Sequence, residues 1–571
     1  MAVKSGRALR WILRDEPEEI PVNEAVMDLH PALRRLLGLR GVVDEDCLGR
    51  FLEPRLRELG DPFDLPEMDK AVARVLEAVD QGQEICVYGD YDVDGITSIT
   101  VMWSILEAYG AKVRAFVPER SSEGYGLSDV AIARCLREGV KPDLMITVDC
   151  GTVSHEPIAQ LKEQGIDVIV VDHHERGEAG RPACVALVNP KFEETSYGYL
   201  CAAGVVFKLA HALLKTRALP SFDLKTLLDL VAVATISDIV PLVGENRLFV
   251  LHGLRRLPQT MNCGLRALME VAGLKGRISS SDIGFRLGPR INAAGRMDRP
   301  DEALRTLLAE SPNEAKQLAE RLDGYNRERQ KTELRILAEA EEEVAKVHDV
   351  ESDPVIVVAS RSWHPGVVGI VASRLMRKYH RPAFVIAVDD NGVGKGSGRS
   401  VEGVSLVEAI RGADEHLIAG GGHHMAAGLS VMEENVAAFR ESFAQYVLHS
   451  CKPENLEPKL YIDGVLDLGD LGLDFLSQYE RLQPFGSGNA VPIFVVKEVW
   501  LSDEPRYLKN NHIKLWLRQG QEEKDAMFFG GGEKELPEPP WDIAFTVDRN
   551  VFRGEISCQM LVRDVRPAGK L

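Results

Sequence analysis

Four apolar runs in this chain are each followed at once by carboxylates or histidines. In open α/β sheets, ligands bind outside the carboxyl ends of the strands, so we expect these side chains to surround one crevice. Crowded carboxylates repel one another unless a hard cation neutralises them, and oxygen ligands with imidazole suit Mn²⁺ or Mg²⁺. The pattern predicts a metal-dependent hydrolase. The residues concerned are Asp90, Asp92 and Asp94 after residues 84–88, Asp149 after residues 144–148, Asp172, His173 and His174 after residues 168–171, and Asp238 after residues 224–236.

Strand-like and helix-like segments alternate from residue 68 onward, which is typical of a parallel sheet covered by helices on both faces. We predict strands at residues 85–88, 113–117, 144–148 and 168–171. The predicted helices are residues 68–79, 96–108, 129–138 with Ser128 as the cap, 157–164 and 224–236.

A long helix is predicted to start at Ser311-Pro312 and run to about residue 347, because this stretch has no further proline and only Gly324. At 1.5 Å per residue it would be roughly 50 Å long and bridge two lobes. A second α/β unit follows, with strands at residues 354–359 and 383–388 around a helix at residues 367–379. Five short runs then predict a small β-barrel: residues 492–501, 512–518, 525–529, 543–547 and 556–563.

The predicted fold class is therefore α/β with several domains, since 571 residues exceed what one core supports. The expected parts are an N-terminal segment (1–65), a catalytic domain (66–305), a connecting helix (306–350), a second α/β domain (351–450) and a β-barrel domain (451–571).

Bulk properties describe an ordinary soluble protein. Nine scattered cysteines without a C-x-x-C pair predict reduced thiols in a cytoplasm. Residues 1–20 lack an apolar signal core and no apolar run is long enough to span a bilayer, so we expect neither secretion nor a membrane partner. The net charge of −19 is neutral to mildly unfavourable for a nucleic-acid substrate, although local patches decide binding.

Each acidic motif alone has a simpler explanation. The run from Asp90 to Asp94 could be a solvated turn or a calcium loop, but a calcium loop needs Glu at the position of Val101. Asp238 alone could be an ordinary residue at a helix end, and one of two adjacent histidines is usually structural. Asp172 could fix the tautomer of a ligating imidazole. The four motifs together favour the metal site.

Four arginines lie within fourteen residues, and guanidinium forks match phosphate geometry. We predict that they project from a tight loop and bind phosphate, against the alternative of a solvated charged face. They are Arg286, Arg290, Arg296 and Arg299.

The motifs DYDVDG, TVDCG, VDHH and SDIVPL resemble those of the DHH phosphoesterases. The stretches DLPEM, GPRINAAGR and QPFGSGN are similar to the RecJ branch of that family, the single-strand-specific 5′→3′ exonucleases. The resemblance runs from about residue 60 to the end. It implies a DHH domain, a DHH-associated domain and a C-terminal oligonucleotide-binding (OB) fold.

The resemblance also implies a two-metal centre with Mn²⁺ or Mg²⁺, in which Asp149 bridges the ions and His174 lies against the phosphate. Two ions activate a water and stabilise both the attacking and the leaving oxygen of a phosphoryl displacement. Many members carry a histidine at the position of Tyr88, so Asp90 is expected to substitute. One ion would be held by Asp90, Asp92 and Asp149, and the other by Asp94, Asp149, His173 and Asp238.

Residues outside the metal site are implied to bind the substrate. Ser397 and Arg399, in a predicted glycine-rich loop with free N–H groups, would recognise the 5′ end and set polarity. Trp363 could stack on the strand or be a buried anchor. The full set is Arg290, Asn292, Arg296, His364, Ser397, Arg399, His423 and His424.

The barrel could stack bases on aromatic residues beside basic ones, although a core position is the better expectation for any single aromatic. The aromatic residues are Trp500, Tyr507, Trp516 and Phe529, and the basic ones are Lys509, Lys514 and Arg518.

The implied activity is degradation of single-stranded DNA from its 5′ end in recombination and repair, by a cytoplasmic monomer. A single-stranded-DNA-binding protein and a RecQ-type helicase are implied partners. One alternative is a DHH enzyme acting on small nucleotides or very short oligonucleotides, which predicts a shorter chain without a barrel. Another is a non-catalytic DNA-binding scaffold, which predicts eroded carboxylates, whereas all four motifs are intact.

Overall fold

The structure is a computed structural model that describes residues 9–17, 26–120, 122–124, 126–297 and 299–569. Residues 1–8 and 18–20, part of the stretch expected to lack a signal, lie outside the described residues. None of the helices in the described ranges combines the length and apolar character that crossing a bilayer requires. The predicted α/β class with a C-terminal barrel is confirmed.

The N-terminal segment packs with the last domain of the chain. Strand β1 (Arg10–Leu13) pairs in parallel with residues Lys459–Ile462. Helices α1 (Pro31–Leu39) and α2 (Glu45–Leu52) bury their apolar faces in the same core as the C-terminal barrel. The described part of the N-terminal segment thus shares a core with the barrel.

The catalytic domain is built on a five-stranded parallel sheet of order β3-β2-β4-β5-β6. The inner strands β4 and β5 are nearly continuous apolar runs because both of their faces are covered. All four predicted strands are confirmed, and the three-residue β6 was missed. The elements are α3 (Met68–Asp80), β2 (Glu84–Gly89), α4 (Val93–Ala108), β3 (Lys112–Phe116), α5 (Asp129–Glu138), β4 (Leu144–Val148), α6 (His155–Glu163), β5 (Asp167–Val171) and β6 (Ala186–Val188).

Helices complete this domain, and one of them corrects a prediction. The GPRINAAGR stretch is helical, because Pro289 starts a first turn and the small residues allow close packing. A Cβ on Gly295 would lie 2.9 Å from the Tyr91 carbonyl oxygen. The predicted tight loop around the arginines is wrong. The helices are α7 (Ala202–Thr216), α8 (Leu228–Ser237), α9 (Gly244–Arg256), α10 (Cys263–Val271), α11 (Ser280–Asp282), α12 (Gly288–Arg296) and α13 (Pro300–Leu308), with a π-turn at Ile283–Leu287.

The predicted bridging helix is confirmed as α14 (Pro312–Val347), whose 36 residues begin at the Ser311 cap. Its first half packs in the catalytic core through Ala319 and Leu322. Its second half packs in the next domain through Ile336 and Val344. One rigid element therefore joins the two lobes.

The second domain has a mixed sheet of order β10-β11-β9-β8-β7. The glycine-rich stretch predicted as a loop forms strand β9, in the middle of this sheet. The elements are β7 (Ile356–Ser360), α15 (Val368–Tyr379), β8 (Ala383–Val388), β9 (Val393–Arg399), α16 (Leu406–Gly412), β10 (Leu417–Gly422), β11 (Ala426–Met432) and α17 (Val436–Ser450).

The last domain is a seven-stranded sheet that curls back on itself, since β14 also pairs with β16. The five predicted strands are confirmed, and the short β12, β13 and β15 were missed. The elements are β12 (Lys459–Ile462), β13 (Gly464–Val465), α18 (Leu473–Glu480), β14 (Phe494–Leu501), β15 (Arg506–Leu508), β16 (His512–Gln519), β17 (Glu522–Phe528), β18 (Trp541–Phe552) and β19 (Glu555–Pro567).

Candidate metal centre

The first acidic motif turns directly from strand β2 into helix α4. The Asp92 carboxylate caps the helix by accepting the Gly95 N–H at 3.1 Å. A Cβ on Gly95 would lie 2.3 Å from the Asp90 carbonyl oxygen, so only glycine permits this close return. Asp90 and Asp94 are each 1% exposed. The motif therefore holds two buried carboxylates with Asp92 between them in sequence.

Asp94 is fixed by the N-terminus of helix α7. One of its carboxylate oxygens accepts the Ala202 N–H at 2.7 Å, and the other accepts the Ala203 N–H at 2.9 Å. Both N–H groups lie in the first turn, where the helix dipole favours negative charge. Sequence analysis gave no role to this helix start, which orients one of the predicted ligands.

Three carboxylates from three different elements converge on one imidazole nitrogen. The Nε2 atom of His173 lies 3.3 Å from Asp149 Oδ1. The same nitrogen lies 3.8 Å from Asp94 Oδ2 and 3.8 Å from Asp238 Oδ2. Asp149 follows β4 with a left-handed φ of 60°, and Asp238 ends α8. The sheet edge thus gathers the predicted ligands as parallel-strand geometry requires.

Asp172 supports the adjacent histidine. Its Oδ1 lies 2.7 Å from His174 Nδ1, and its carboxylate also accepts backbone N–H groups of Thr152, His173 and His174. Burial disfavours the charged imidazole, but the hydrogen bond to Asp172 raises the pKa of His174 to about 9. Burial also opposes ionisation of Asp172, yet His174 holds the pKa of this carboxyl well below its usual range. The pair places a fixed cation beside the acidic cluster.

Burial and mutual repulsion make the carboxylates costly to ionise together. Burial, followed by the charge of Asp92, raises the pKa of Asp94 to about 7. Burial and the charge of Asp94 raise the pKa of Asp238 to about 8. Burial lowers the pKa of His173 to about 3, so its imidazole is neutral and can donate a lone pair.

The donor set fits divalent cations. Among the described residues, none donates a hydrogen bond to Asp90 Oδ1, Asp149 Oδ1 or Asp238 Oδ2, although all three atoms are buried. Buried oxygens without partners call for a counter-charge, and carboxylates with one neutral imidazole suit Mn²⁺ or Mg²⁺. Three groups have ligand atoms within 4.8 Å of one another: Asp90, Asp92 and Asp149; Asp94, His173 and Asp238; and Asp149, His173 and His174.

These groups contain the six predicted ligands. Asp149 belongs to two of them, as expected of a bridging carboxylate. Tyr88 is fully buried, and its hydroxyl donates to the Gly126 carbonyl at 2.9 Å. Tyr88 therefore has a partner away from the ligand groups, and Asp90 belongs to the first group. That Asp90 substitutes for a histidine stays a prediction. The assignment of each ligand to an ion stays a prediction.

A cluster of guanidinium groups lies beside this centre. Arg296 donates to the Gly366 carbonyl at 3.0 Å, and Arg399 donates to Ser397 Oγ at 3.0 Å. Burial and the nearby charge of Arg120 lower the pKa of Arg296 to about 10 and also lower that of Arg399. Within the described part of the chain, no carboxylate forms an ion pair with these three arginines. The cluster therefore favours an anion.

Arg120 was missed by sequence analysis. It follows β3 in a polar stretch with no motif, and its guanidinium lies 5.6 Å from the centre of the Tyr91 ring. Only the fold brings it to Arg296 and Arg399.

Other predicted substrate residues have partners within the protein. Arg290 forms an ion pair with Asp323 at 2.9 Å. Asn292 accepts the Val93 N–H at 3.2 Å and so supports the first turn of α4. His364 accepts the Gly366 N–H at 3.1 Å. His423 and His424 are exposed on the second domain, and His424 Nδ1 lies 2.8 Å from Ser405 Oγ. Their roles toward a substrate stay predictions.

The glycines of β9 do not form the predicted phosphate cradle. The strand pairs with β8 on one side and β11 on the other, so its N–H groups belong to the sheet. A Cβ on Gly398 would lie 2.5 Å from the Phe384 ring, and one on Gly396 would lie 2.8 Å from Leu429. The glycines allow close packing, while Ser397 and Arg399 occupy the opposite face.

Two aromatic expectations have opposite outcomes. Trp363 is a buried anchor whose Nε1–H donates to Glu339 at 2.9 Å. In the barrel, the expected core position is wrong for three aromatic residues, whose side chains are exposed: Trp500 is 50% exposed, Tyr507 64% and Phe529 56%. Exposed aromatic rings on one barrel make a surface on which flat groups can stack.

Comparison with known families matches three parts of the chain. Residues 84–235 match the DHH family, N-terminal domain. Residues 352–448 match the DHHA1 domain, and residues 462–564 match the RecJ OB domain. These stretches coincide with the parallel sheet, the second α/β domain and the barrel.

Relatives match nearly the whole chain. The single-stranded-DNA-specific exonuclease RecJ of Bacillus subtilis is 35% identical over 97% of this chain and 70% of its own length. Its counterpart from Haemophilus influenzae is 35% identical over 96% of this chain and 98% of its own. The crystal structure of RecJ in complex with Mn²⁺ from Thermus thermophilus has a TM-score of 0.84 at 31% identity, covering 99% of this chain and 80% of that one. With its metal centre, its three matched domains and these relatives, the chain belongs to the RecJ family of DHH proteins.

Proposed function

We propose that the protein is a metal-dependent exonuclease that degrades single-stranded DNA from its 5′ end. The proposal rests mainly on two ligand groups that share Asp149. One contains Asp90 and Asp92, and the other contains His173 and His174. Relatives named single-stranded-DNA-specific exonucleases, and a relative crystallised with Mn²⁺, support the same activity.

The protein's own residues prepare the site for phosphodiester hydrolysis with two Mn²⁺ or Mg²⁺ ions. When bound, the ions would supply an activated water and stabilise both oxygens of the displacement. Asp149 would contribute to holding both ions. The N-terminus of α7 fixes Asp94, which would be a ligand of one of them. His174, charged through its bond to Asp172, would stabilise the negative phosphate.

Polarity is proposed to come from the arginine cluster. A terminal phosphate carries more negative charge than an internal diester, so Arg120, Arg296 and Arg399 would favour a strand end. Ser397, held by Arg399, would add a hydroxyl donor. Because the cluster lies beside the metal groups, an end bound there would place a nearby diester at the ions.

The exposed aromatic rings of the barrel are proposed to hold the strand further along. Stacking tolerates any base and requires unpaired bases, which explains a preference for single strands. We further propose that the protein acts as a monomer in the cytoplasm, in recombination and repair. A single-stranded-DNA-binding protein and a RecQ-type helicase are its proposed partners, on family resemblance.

The test is degradation of a single-stranded oligonucleotide labelled at its 3′ end, with Mn²⁺ or with EDTA, beside blunt duplex and pyrophosphate. We expect a Mn²⁺-dependent ladder that shortens from the 5′ end, with duplex spared and activity lost in Asp149→Ala. Intact DNA with hydrolysed pyrophosphate would instead assign a small-substrate enzyme. Inertness toward all three with DNA still bound would assign a scaffold.

A further inference from the structure

The loop that follows the metal ligand Asp238 is held by a distant part of the chain. Leu242, four residues after Asp238, donates its N–H to the Ser487 carbonyl oxygen at 2.7 Å. Ser487 lies in the QPFGSGN stretch, which precedes the first long strand of the barrel. A residue 245 positions away thus fixes the backbone beside a ligand.

The two glycines of this stretch pack closely against the loop after Asp238. A Cβ on Gly488 would lie 3.1 Å from Pro241 Cβ and 3.4 Å from the Leu242 nitrogen. A Cβ on Gly486 would lie 2.8 Å from a methyl carbon of Leu242, whose side chain is buried. A side chain at Gly486 or Gly488 would therefore force the ligand loop to shift, and the φ of 71° at Gly488 adds backbone strain for any other residue.

The turn itself is rigid. Gly486 and Asn489 exchange two backbone hydrogen bonds, of 2.9 and 3.2 Å. The Asn489 amide donates to the Leu482 and Pro484 carbonyls, and its oxygen accepts from Arg40 at 2.6 Å. The buried Arg247 of the catalytic domain binds the carbonyls of residues 481–483 and of Phe51. The turn is thus anchored from the catalytic domain and from the N-terminal segment.

The ligand loop needs such support. Ile239, directly after Asp238, is β-branched, has a φ of 61° and is 73% exposed. A β-branched residue avoids this region unless its surroundings impose it, and an exposed side chain supplies little packing of its own. Residues 240–242 are held from two sides. Within the catalytic domain, the Asn246 amide donates to the Pro241 carbonyl at 3.0 Å. From the barrel side, the Ser487 carbonyl and the two glycines contact Pro241 and Leu242.

We propose that the 486–489 turn is a positioning element for the metal ion held by Asp94, His173 and Asp238. The turn couples the barrel to the metal centre and sets the aim of Asp238, while the ion at Asp90 and Asp92 does not depend on it. This inference rests on the proposed metal centre, and it assigns a role to QPFGSGN beyond folding.

The test is calorimetric titration of Mn²⁺ into the full-length protein without DNA. Gly488→Ala is compared with Gly165→Ala, since Gly165 has a matching φ of 74° but nothing within 4 Å of its Cβ. We expect Gly488→Ala to weaken one of two binding events by about tenfold or more, as loss of support around a ligand does. Asp238→Asn should weaken the same event, and Gly165→Ala neither. On DNA, kcat of Gly488→Ala should fall with KM unchanged.

If the wild-type protein binds no Mn²⁺, the proposed metal centre itself is refuted, and the positioning role falls with it. Folded Gly488→Ala with both events intact, or with both weakened equally, would overturn the positioning role. If Gly488→Ala does not fold, Gly486→Ala replaces it, with Gly472→Ala as control because its Cβ would meet nothing within 4 Å. For Gly486→Ala, too, a weakening of one Mn²⁺ binding event alone would support the positioning role. Two unchanged or two equally weakened events would overturn it.

Discussion

The Asp172 carboxylate lies 2.7 Å from His174 Nδ1 and belongs to none of the three ligand groups. His173 faces the carboxylates of Asp94, Asp149 and Asp238. Its two neighbours in sequence, Asp172 and His174, contact each other instead. Asp172 therefore acts through His174, as an outer carboxylate that orients an imidazole.

Asp172→Asn tests whether Asp172 acts through His174 and not as a metal ligand. The amide keeps the shape but loses the charge that holds His174 in its cationic form, so we expect kcat to fall by about 10- to 100-fold. Mn²⁺ affinity, measured by calorimetry, should change little because Asp172 is not among the ligand groups. Loss of both Mn²⁺ ions in this variant would contradict the assignment.

Asp149→Asn should stabilise the metal-free protein while abolishing activity. Asn tolerates the left-handed φ of 60° at this position, so the backbone is not strained. Removing one buried like charge should raise the free energy of unfolding by about 1–2 kcal/mol in EDTA. We expect Mn²⁺ to raise the Tm of the wild type but not that of Asp149→Asn. Thermal melts in EDTA and in Mn²⁺ measure both effects, and a lower Tm in EDTA would count against repulsion at the centre.

Arg120→Gln should remove the preference for a phosphorylated 5′ end. The rate ratio between 5′-phosphate and 5′-hydroxyl oligonucleotides should drop by about 10- to 150-fold, since one charge-assisted contact is worth about 1.5–3 kcal/mol. Arg137→Gln, exposed on α5, is the matched control. An unchanged ratio in Arg120→Gln would exclude this arginine from end recognition.

Glu67, in the DLPEM stretch, should stabilise the fold in a pH-dependent manner. Partial burial opposes its ionisation, but hydrogen bonds from Arg181, Lys70 and the Leu187 N–H lower the pKa of Glu67 to about 2 from an ordinary 4.5. A lowered pKa contributes stability above the unfolded value that is lost as the pH falls toward the folded value. Glu67→Gln should therefore cost about 1–2 kcal/mol at pH 7, discounted for partial exposure.

The difference in the free energy of unfolding between Glu67→Gln and the wild type should become smaller as the pH falls from 5 to 3. Urea unfolding at several pH values measures it, with the exposed Glu163→Gln on α6 as control. A gap that stays constant over this range would refute the electrostatic explanation.

Tyr507→Ala and Trp500→Ala should weaken binding of long single strands. Each exposed ring is expected to stack one base, worth about 1–3 kcal/mol, so KM on a long oligonucleotide should rise by about tenfold or more. Cleavage of an oligonucleotide too short to reach the barrel is the internal control and should be unchanged. Equal losses on both substrates would mean that the rings support the fold.

The convergence of the predicted ligands could be foreseen from sequence because each follows a strand or helix end that sequence patterns locate. Asp149 and His173 meet because β4 and β5 are neighbours in a parallel sheet. Arg120 could not be predicted, since its position depends on how residues after β3 pack against α12 and β9. The strand conformation of β9 could not be predicted either, because glycine disfavours strands, and close packing of these glycines against Phe384, Ile386 and Leu429 accounts for it.

The N-terminal segment illustrates the same limit. Leu33 and Leu36 have the spacing of an ordinary helix, which predicted the helix but not its partner. Their core is completed by Phe494 and Phe545, more than 450 residues further on. Contacts at such separation leave no local trace in sequence.

The core shared by α1, α2 and the barrel also has a consequence during synthesis. The apolar faces of α1 and α2 leave the ribosome early, but their partner strands follow only after some 450 further residues. At about 5–20 residues per second, the delay is roughly 20–90 s, during which these faces lack their native cover. A chaperone that holds apolar helices on nascent chains should therefore bind this protein at its beginning and release it at its end.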